Sequence, residues 1–404
     1  MFILAVMDRV TECGKMAKSG FGRQALIGRR LVVAGTLALL AGCQVIPSAH
    51  GPETAPPPER PAEKGPQAGV LPTDTSRHRI ALLLPLSGSN ATVGQSIANA
   101  ATMALLDTNA QNIRITTYDT AANPVAAARK AVADGNRLIL GPLLSDNVVK
   151  VAGVARPAKV PMITYSNDVD VANRDVFVLG QVPGQAVARV IGYAKAHGVN
   201  RISAVIPSGV YGQRASASLL RASRADKVTV SDIEVYDRTP ASLASAVQKV
   251  KQKDNYDAVL IADGARMALQ AGTLIGPGPR LLGTELWSGE ASIARSPALR
   301  GAWFAAVSDA RWPQFQKSYR SRFGSSPSRL ATLGYDSVLL TLNVARDWKP
   351  GTLFPTARLY DKDGFIGLDG VFRFASDGVA ERAMDVREVE DGTFSIVSPA
   401  PSRF

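Results

Sequence analysis

Sulfur and imidazole are almost missing from this chain, whose 404 residues hold two cysteines and three histidines. Cys13 and Cys43 both lie near the N-terminus, so from Gln44 onward there is no thiol. A disulfide framework, a thiolate nucleophile and a cysteine-built metal site are thereby excluded from the body of the protein. His50 and His78 sit in or beside a proline-rich stretch, which leaves His197, in "AKAHGVN", as the one histidine expected within a folded segment. At a helix C-terminus it complements the negative end of the dipole, and no Ser–His–Asp triad can be built around it alone. The sequence also has no P-loop, no HExxH and no GxSxG, and "GPGPRLLG" has the wrong glycine spacing for a dinucleotide fingerprint. Carboxylates such as Asp257, Asp263 and Glu285 could pair for acid/base work, but helix capping and surface solvation account for them more simply. The expectation is a protein that is not an enzyme and holds no metal or cofactor.

The apolar run "LVVAGTLALLAGC" is too short to anchor a chain by spanning a bilayer, and it follows Lys15, Lys18, Arg23, Arg29 and Arg30. That order is a secretory signal. Its end, Leu40-Ala41-Gly42-Cys43, resembles the bacterial lipobox, which implies cleavage before Cys43 and acylation of its sulfur and amino group. Residues 1–42 are therefore expected to be a lipoprotein signal peptide, with Met7 and Met16 as alternative starts, and attachment to the membrane is through lipid alone. Residues 43–76 carry Pro47, Pro52, Pro56, Pro57, Pro58, Pro61, Pro66 and Pro72 among small and charged residues, the composition of a tether. Fully extended as polyproline helix at about 3.1 Å per residue, it reaches roughly 100 Å. A folded domain is expected over 77–404.

The 46 Lys and Arg and 34 Asp and Glu give a formal charge of +12; six of the cations and two of the acids fall in residues 1–42, leaving +8 for the remainder. The densest cluster, Lys317, Arg320, Arg322 and Arg329 in "QKSYRSRFGSSPSRL", reads as a solvated helix face that could also favour anionic lipid, cell-wall polymer or an acidic protein. No nucleic-acid module accompanies it, and none is expected as a partner.

From Arg79 onward, short β-rich runs alternate with helical spacing: "RIALLLPL", helix 94–109, "IRITTYD", helix 124–134, "RLILG", helix 145–156, "VPMIT". After "DVFVLG" the alternation restarts with helix 184–197, "RISAVIP", helix 212–224, "KVTVSDIEVY", helix 241–252, "DAVLIA", helix 264–273 and "RLLGTE". Repeated βα winding calls for parallel sheets. The expected fold class is α/β, two Rossmann-like lobes with parallel sheets joined by a multi-crossing hinge. Lobe 1 takes about 77–180 and 308–350, and lobe 2 about 181–307 and 351–404. Helices 312–323 and 329–347 and the hairpin "FIGLDGVFRFASDG" share themselves between the two.

In open α/β sheets a ligand sits beyond the carboxyl ends of the strands, where helix N-termini present free N–H groups. Six loops follow predicted strands in that way: 87–89, 145–147, 164–168, 208–213, 263–264 and 283–290. They place Ser87, Ser145, Thr164, Tyr165, Ser166, Tyr211, Asp263 and Glu285 as candidates to line a cleft between the lobes.

The order of "IALLLPLSGSNATVGQSIANAATMA", "LILGPLLSDNVVKVAGVARPAKVPMITYS", "YGQRASASLL", "GYDSVLL" and "GLDGVFRFASDG" resembles the type I periplasmic binding protein fold of the leucine/isoleucine/valine-binding kind, over Arg79 to about Val397. Within it, "ITTYDTAANPVAAA", "LILGPLLSDNV" and "LGTELWSG" most resemble the C-terminal domain of the penicillin-binding protein activator lipoproteins. That resemblance implies an outer-membrane lipoprotein that stimulates a penicillin-binding protein, a cell-wall synthase. The long N-terminal helical-repeat domain of such activators is absent here. The alternative family supplies substrate to an amino-acid ABC permease. Its pattern implies that Ser145 and the Thr164-Tyr165-Ser166 segment receive a ligand carboxylate, with Tyr211 as the cleft aromatic and Glu285 as the ammonium acceptor. Arg214, however, replaces the second glycine of Y-G-x-G, and Asp146 would repel a bound carboxylate. On the residues alone, Ser145 and Asp146 fit a helix cap and dipole partner as well as a ligand cup. Tyr211 fits packing beneath the hinge as well as a ligand contact, Glu285 fits a cap as well as an ammonium partner, and Trp287 is core or cleft wall.

Overall fold

Apolar, β-branched runs cut by turn residues and followed by segments of 3.6-residue period wind as β–α units, and the computed structural model, which describes residues 76–404, contains two such windings. Cys43, the signal segment and all but the last residue of the tether lie outside the described residues. The first winding runs β1 (His78–Leu84), α1 (Ala91–Thr108), β2 (Ile113–Asp119), α2 (Pro124–Ala133), β3 (Leu138–Leu140), α3 (Ser145–Ala155), β4 (Met162–Thr164) and β5 (Val176–Val178). Its five strands lie in the order β2-β1-β3-β4-β5, all parallel. Both faces of β1 are covered, as a parallel sheet requires. Ile80, Leu82 and Leu84 pack toward Ile97 of α1, while Ala81 and Leu83 pack toward Val148 and Val151 of α3. Local chemistry sets the helix starts: Pro124 opens α2 behind Asn123, whose side chain accepts from the Ala126 N–H at 2.9 Å.

The second winding runs α4 (Pro183–Ala196), β6 (Arg201–Pro207), α5 (Val210–Asp226), β7 (Thr229–Tyr236), α6 (Pro240–Lys253), β8 (Ala258–Ile261), α7 (Ala265–Ile275), β9 (Arg280–Gly283), the short α8 (Ala291–Ala294) and β10 (Trp303–Val307). The chain then crosses to the first lobe with α9 (Trp312–Phe323) and α10 (Ala331–Ala345), whose Leu333 and Val338 share a core with Ile97. A small antiparallel sheet follows, β11 (Phe365–Gly367), β12 (Gly370–Phe374) and β13 (Ala380–Arg382), before β14 (Met384–Val389) and β15 (Phe394–Ser398) return to the second. The second sheet has the order β15-β14-β10-β9-β8-β6-β7, parallel from β10 to β7 and antiparallel at β14 and β15. Three connections therefore join the lobes: β5 to α4, β10 to α9 and β13 to β14.

Two expectations are corrected. The sequence pattern assigns all of 351–404 to the second lobe, yet Phe365, Phe372 and Phe374 join the core of the first, with Phe374 edge-on to Phe177 at 5.5 Å. Only β14 and β15 belong to the second, because Met384 and Val386 pair with β10. The alternating pattern of a hairpin marks which face is apolar, not which core receives it. His78, expected in or beside the linker, is the first residue of β1, where its ring stacks on Trp348 at 3.8 Å and burial lowers its pKa. Among the described residues no helix is long and apolar enough to cross a membrane.

Candidate functional site

In the first lobe the strand-end loops are knitted together by their own polar groups. Thr164 Oγ1 donates to the Pro142 carbonyl at 2.6 Å and accepts from the Ser166 N–H at 3.1 Å. Tyr165 is buried, its hydroxyl 2.8 Å from Ser337 Oγ of α10, and burial raises its pKa. Ser166 Oγ accepts from the Asp168 N–H. Ser87 Oγ donates to Asp119 Oδ2 at 2.9 Å, while the Leu86 and Ala121 amides bond Oδ1 and hold that carboxyl low. Ser145 is not the cap of α3 as the sequence suggests. Leu144 holds the cap position, and Ser145 is the first helical residue, with Asp146 behind it against the positive helix end.

In the second lobe, Tyr211 lies in the first turn of α5 and its hydroxyl meets Thr284 Oγ1 at 2.9 Å and donates to Glu285 Oε1 at 3.1 Å. Burial pushes Glu285 up to about 7, and its Oε2 is buried with no hydrogen-bond partner, so one acceptor stands unused. Asp263, by contrast, is fully engaged by the Tyr236 hydroxyl at 2.5 Å, Arg238 Nε at 3.0 Å and the Gly264 N–H at 2.8 Å. Trp287 is core: wholly buried, it donates to the Asp263 carbonyl at 3.0 Å. Gly283 makes room for it, since a Cβ there would lie 2.3 Å from the indole.

Across the strand ends, Arg214 of α5 meets the loop after β4. Its Nη2 lies 2.7 Å from Asp168 Oδ2 and its Nη1 donates to Asn167 Oδ1 at 3.3 Å. One turn of helix thus carries Tyr211, turned to Glu285 within its own lobe, and Arg214, which reaches the other. The structure brings Tyr211 and Glu285 together and leaves Ser87 and Asp263 in separate local networks.

The matched family settles what scaffold this is: residues 78–393, every element of both lobes except the edge strand β15, fit the model described as periplasmic binding protein. The chain belongs to that family. Solved binding proteins share its architecture. A protein described as a putative branched-chain amino acid ABC transporter from Rhodospirillum rubrum superposes with a TM-score of 0.70 at 18% identity, covering 80% of this chain and 100% of that one. The leucine-binding protein LivK of Thermotoga maritima gives 0.59 at 18% over 80% and 98%. LivJ of Streptococcus pneumoniae, in complex with isoleucine, gives 0.57 at 19% over 80% and 100%. At such identities these likenesses establish the fold. A protein of Rickettsia prowazekii, described as uncharacterized protein RP748, is 24% identical over 340 residues, 79% of this chain and 88% of its own.

This binding-protein scaffold also has a polar feature that the sequence pattern does not reveal, a chain of charges through the hinge. Arg329 Nη1 donates to Asp369 Oδ1 at 2.6 Å and its Nη2 to Asp309 Oδ1 at 3.3 Å. Asp309 also accepts from Arg387 of β14, which bonds the Val307 carbonyl at 2.8 Å. Asp369 Oδ2 accepts from Thr332 Oγ1 at 2.9 Å and Gln181 Nε2 at 3.1 Å. Beside it, burial and the Asp369 charge push Asp336 up to about 7. Arg329, grouped by sequence with a solvated basic cluster, is thus part of the hinge. Arg322 of that cluster pairs with Asp107 at 2.6 Å.

Proposed function

We propose that this protein is a non-enzymatic, lipid-anchored member of the periplasmic binding protein family that acts through protein contacts, as an activator of a penicillin-binding protein in cell-wall synthesis. The observation that carries this reading is the Arg214–Asp168 pair. Where the resemblance to amino-acid receptors calls for a glycine in Y-G-x-G, this chain has Arg214, whose guanidinium pairs with Asp168 of the other lobe. The anionic seat at α3 is likewise met by Asp146 from within. Cys43 carries the lipid on this reading, and Gln44 after it, in place of an aspartate, favours the outer membrane.

A second reading, an amino-acid receptor for an ABC permease, draws support from Glu285, whose free Oε2 could accept from an ammonium group. Solved proteins of the same fold that bind leucine or isoleucine add to it. Thermal melts of the purified protein against the amino acids separate the two, because a ligand at a hundred times its Kd adds about 2.7 kcal/mol of stability. The activator reading expects no shift with any amino acid, together with binding to and stimulation of a purified synthase. A saturable shift that Glu285→Ala abolishes would reverse the ranking.

A further inference from the structure

We propose that the end of the first lobe remote from the cleft is a membrane-facing surface, built to rest on the anionic headgroups of the leaflet that holds Cys43. The proposal rests on the reading of Cys43 as lipid-bearing. A cavity of about 620 Å³ opens at that end, walled by Arg156, Lys159, Arg174, Pro161, Leu353 and Phe354. Its walls come from the turn after α3 and from the residues just before β4 and β5, so it lies at the opposite ends of the strands whose tips carry the candidate cleft loops.

Three cations against one carboxylate set its charge. Asp175 is already taken by Arg156, through Nε at 2.6 Å and Nη2 at 3.0 Å. Among the described residues no carboxylate pairs with Lys159 or Arg174, and both are exposed. Lys159 adopts φ +56°, uncommon for a side-chain-bearing residue, in a turn closed by its N–H on the Arg156 carbonyl at 3.0 Å. Apolar surface sits beside the charge: Leu353 is 52% exposed. A leucine flanked by cations is the pattern of side chains that enter the headgroup boundary while their charges meet phosphate.

The route of the chain selects membrane over an acidic peptide. Phe354, in the cavity wall, stands edge-on to Trp348 at 5.2 Å, and Trp348 stacks on His78 at 3.8 Å. His78 opens β1, so the polypeptide coming from Cys43 enters the fold on this face. An anchored surface meets its leaflet at high effective concentration, and weak contacts then suffice to orient it. The cleft loops, at the other ends of the same strands, then point away from the bilayer, where a partner could reach them.

Flotation with lipid vesicles tests the surface without needing the anchor. A chain beginning at Gln44 retains all of residues 76–404, which fall within one compact unit. It is expected to float with vesicles containing phosphatidylglycerol, not with phosphatidylcholine alone, and less as salt rises. Lys159→Glu with Arg174→Glu should lower partitioning by roughly tenfold or more, and Leu353→Ser should lower it without changing the salt dependence. Equal flotation on both lipids, none on either, or undiminished flotation of the double variant would overturn the proposal, as would capture by polyglutamate with no vesicle binding. Mass spectrometry of Cys43 in the mature protein judges the anchor separately: an unacylated Cys43 would remove the anchor while flotation still decides the surface.

Discussion

Arg214 Nη2 and Asp168 Oδ2 stand 2.7 Å apart, joining α5 of one lobe to the loop after β4 of the other, with their side chains 21% and 15% exposed. A charge-assisted bond sheltered to that degree is worth about 1–2 kcal/mol, enough to bias the lobes toward each other. Arg214→Gln and Asp168→Asn should each widen the mean lobe separation. Because the sequence has no thiol from Gln44 onward, a chain beginning at Gln44 with one added cysteine per lobe permits distance measurement by paired spin labels. A distribution unchanged in both variants would deny the pair any latching role.

Glu285 and Asp336 are both held near about 7, well above the usual carboxylate range, by burial first and, for Asp336, by the neighbouring Asp369 charge. A carboxyl raised in the folded state binds its proton more tightly there than in the unfolded chain. Stability is therefore greatest near and below the unfolded value of about 4.3 for Glu and falls as pH rises toward 7, where the folded groups ionise. Glu285→Gln keeps an acceptor for the Tyr211 hydroxyl and cannot ionise. Its melting temperature should match the parent near pH 4.5 and exceed it at pH 8, by up to about 3 kcal/mol in stability. Parallel curves for the two proteins would mean that Glu285 is not the titrating group.

Where one local rule decided the outcome, the sequence was readable. The helix expected at 124–134 is Pro124–Ala133, because Asn123-Pro124 caps and opens it, and the helix expected at 312–323 is Trp312–Phe323. The βα alternation was enough to imply the parallel strands of both sheets, though not the antiparallel β14 and β15 that extend the second. Legibility ended where partners are distant in sequence. Asp309, Arg329, Asp369 and Arg387 meet only because three connections cross between the lobes, and nothing near Arg329 distinguishes it from Arg322 on the preceding helix. Arg214 stood out as a departure from glycine, but its partner Asp168 needed coordinates. Ser145 shows a finer limit: serine suits a cap chemically, yet the chain enters α3 one residue earlier, through Leu144.

Gly283 and Trp287 depend on each other sterically. A methyl at 283 would come within 2.3 Å of the indole, so Gly283→Ala must displace a ring that is wholly buried and bonded to the Asp263 carbonyl. Overpacking plus a lost bond should cost about 2–4 kcal/mol. Trp287→Phe removes the donor without the clash and should cost less than Gly283→Ala. Urea midpoints of the two variants check the order, and its reversal would show that the loop yields easily and that the hydrogen bond matters more than the fit.

The hinge charges give a graded prediction, because the same pairings are buried to different depths. Asp369 is 2% exposed and accepts from Arg329, Thr332 and Gln181, whereas Asp309 is about a third exposed and can be replaced by water on its open side. Neutralising one member of a buried pair leaves an uncompensated charge and costs about 3–5 kcal/mol, far more than at a solvated site. Asp369→Asn should therefore approach that loss in guanidinium unfolding, and Asp309→Asn should fall well short of it. The Asp369 variant carries a further consequence, since Arg329 and Arg387 meet only at Asp309, and Asp369 ties Arg329 to Gln181 in the first crossing connection, between β5 and α4. Loosening that tie should broaden the distance between lobes even where the fold survives. Equal losses at both positions would mean that the hinge is wet throughout, and that its charges are a surface network in which no single carboxylate fixes the angle between the lobes.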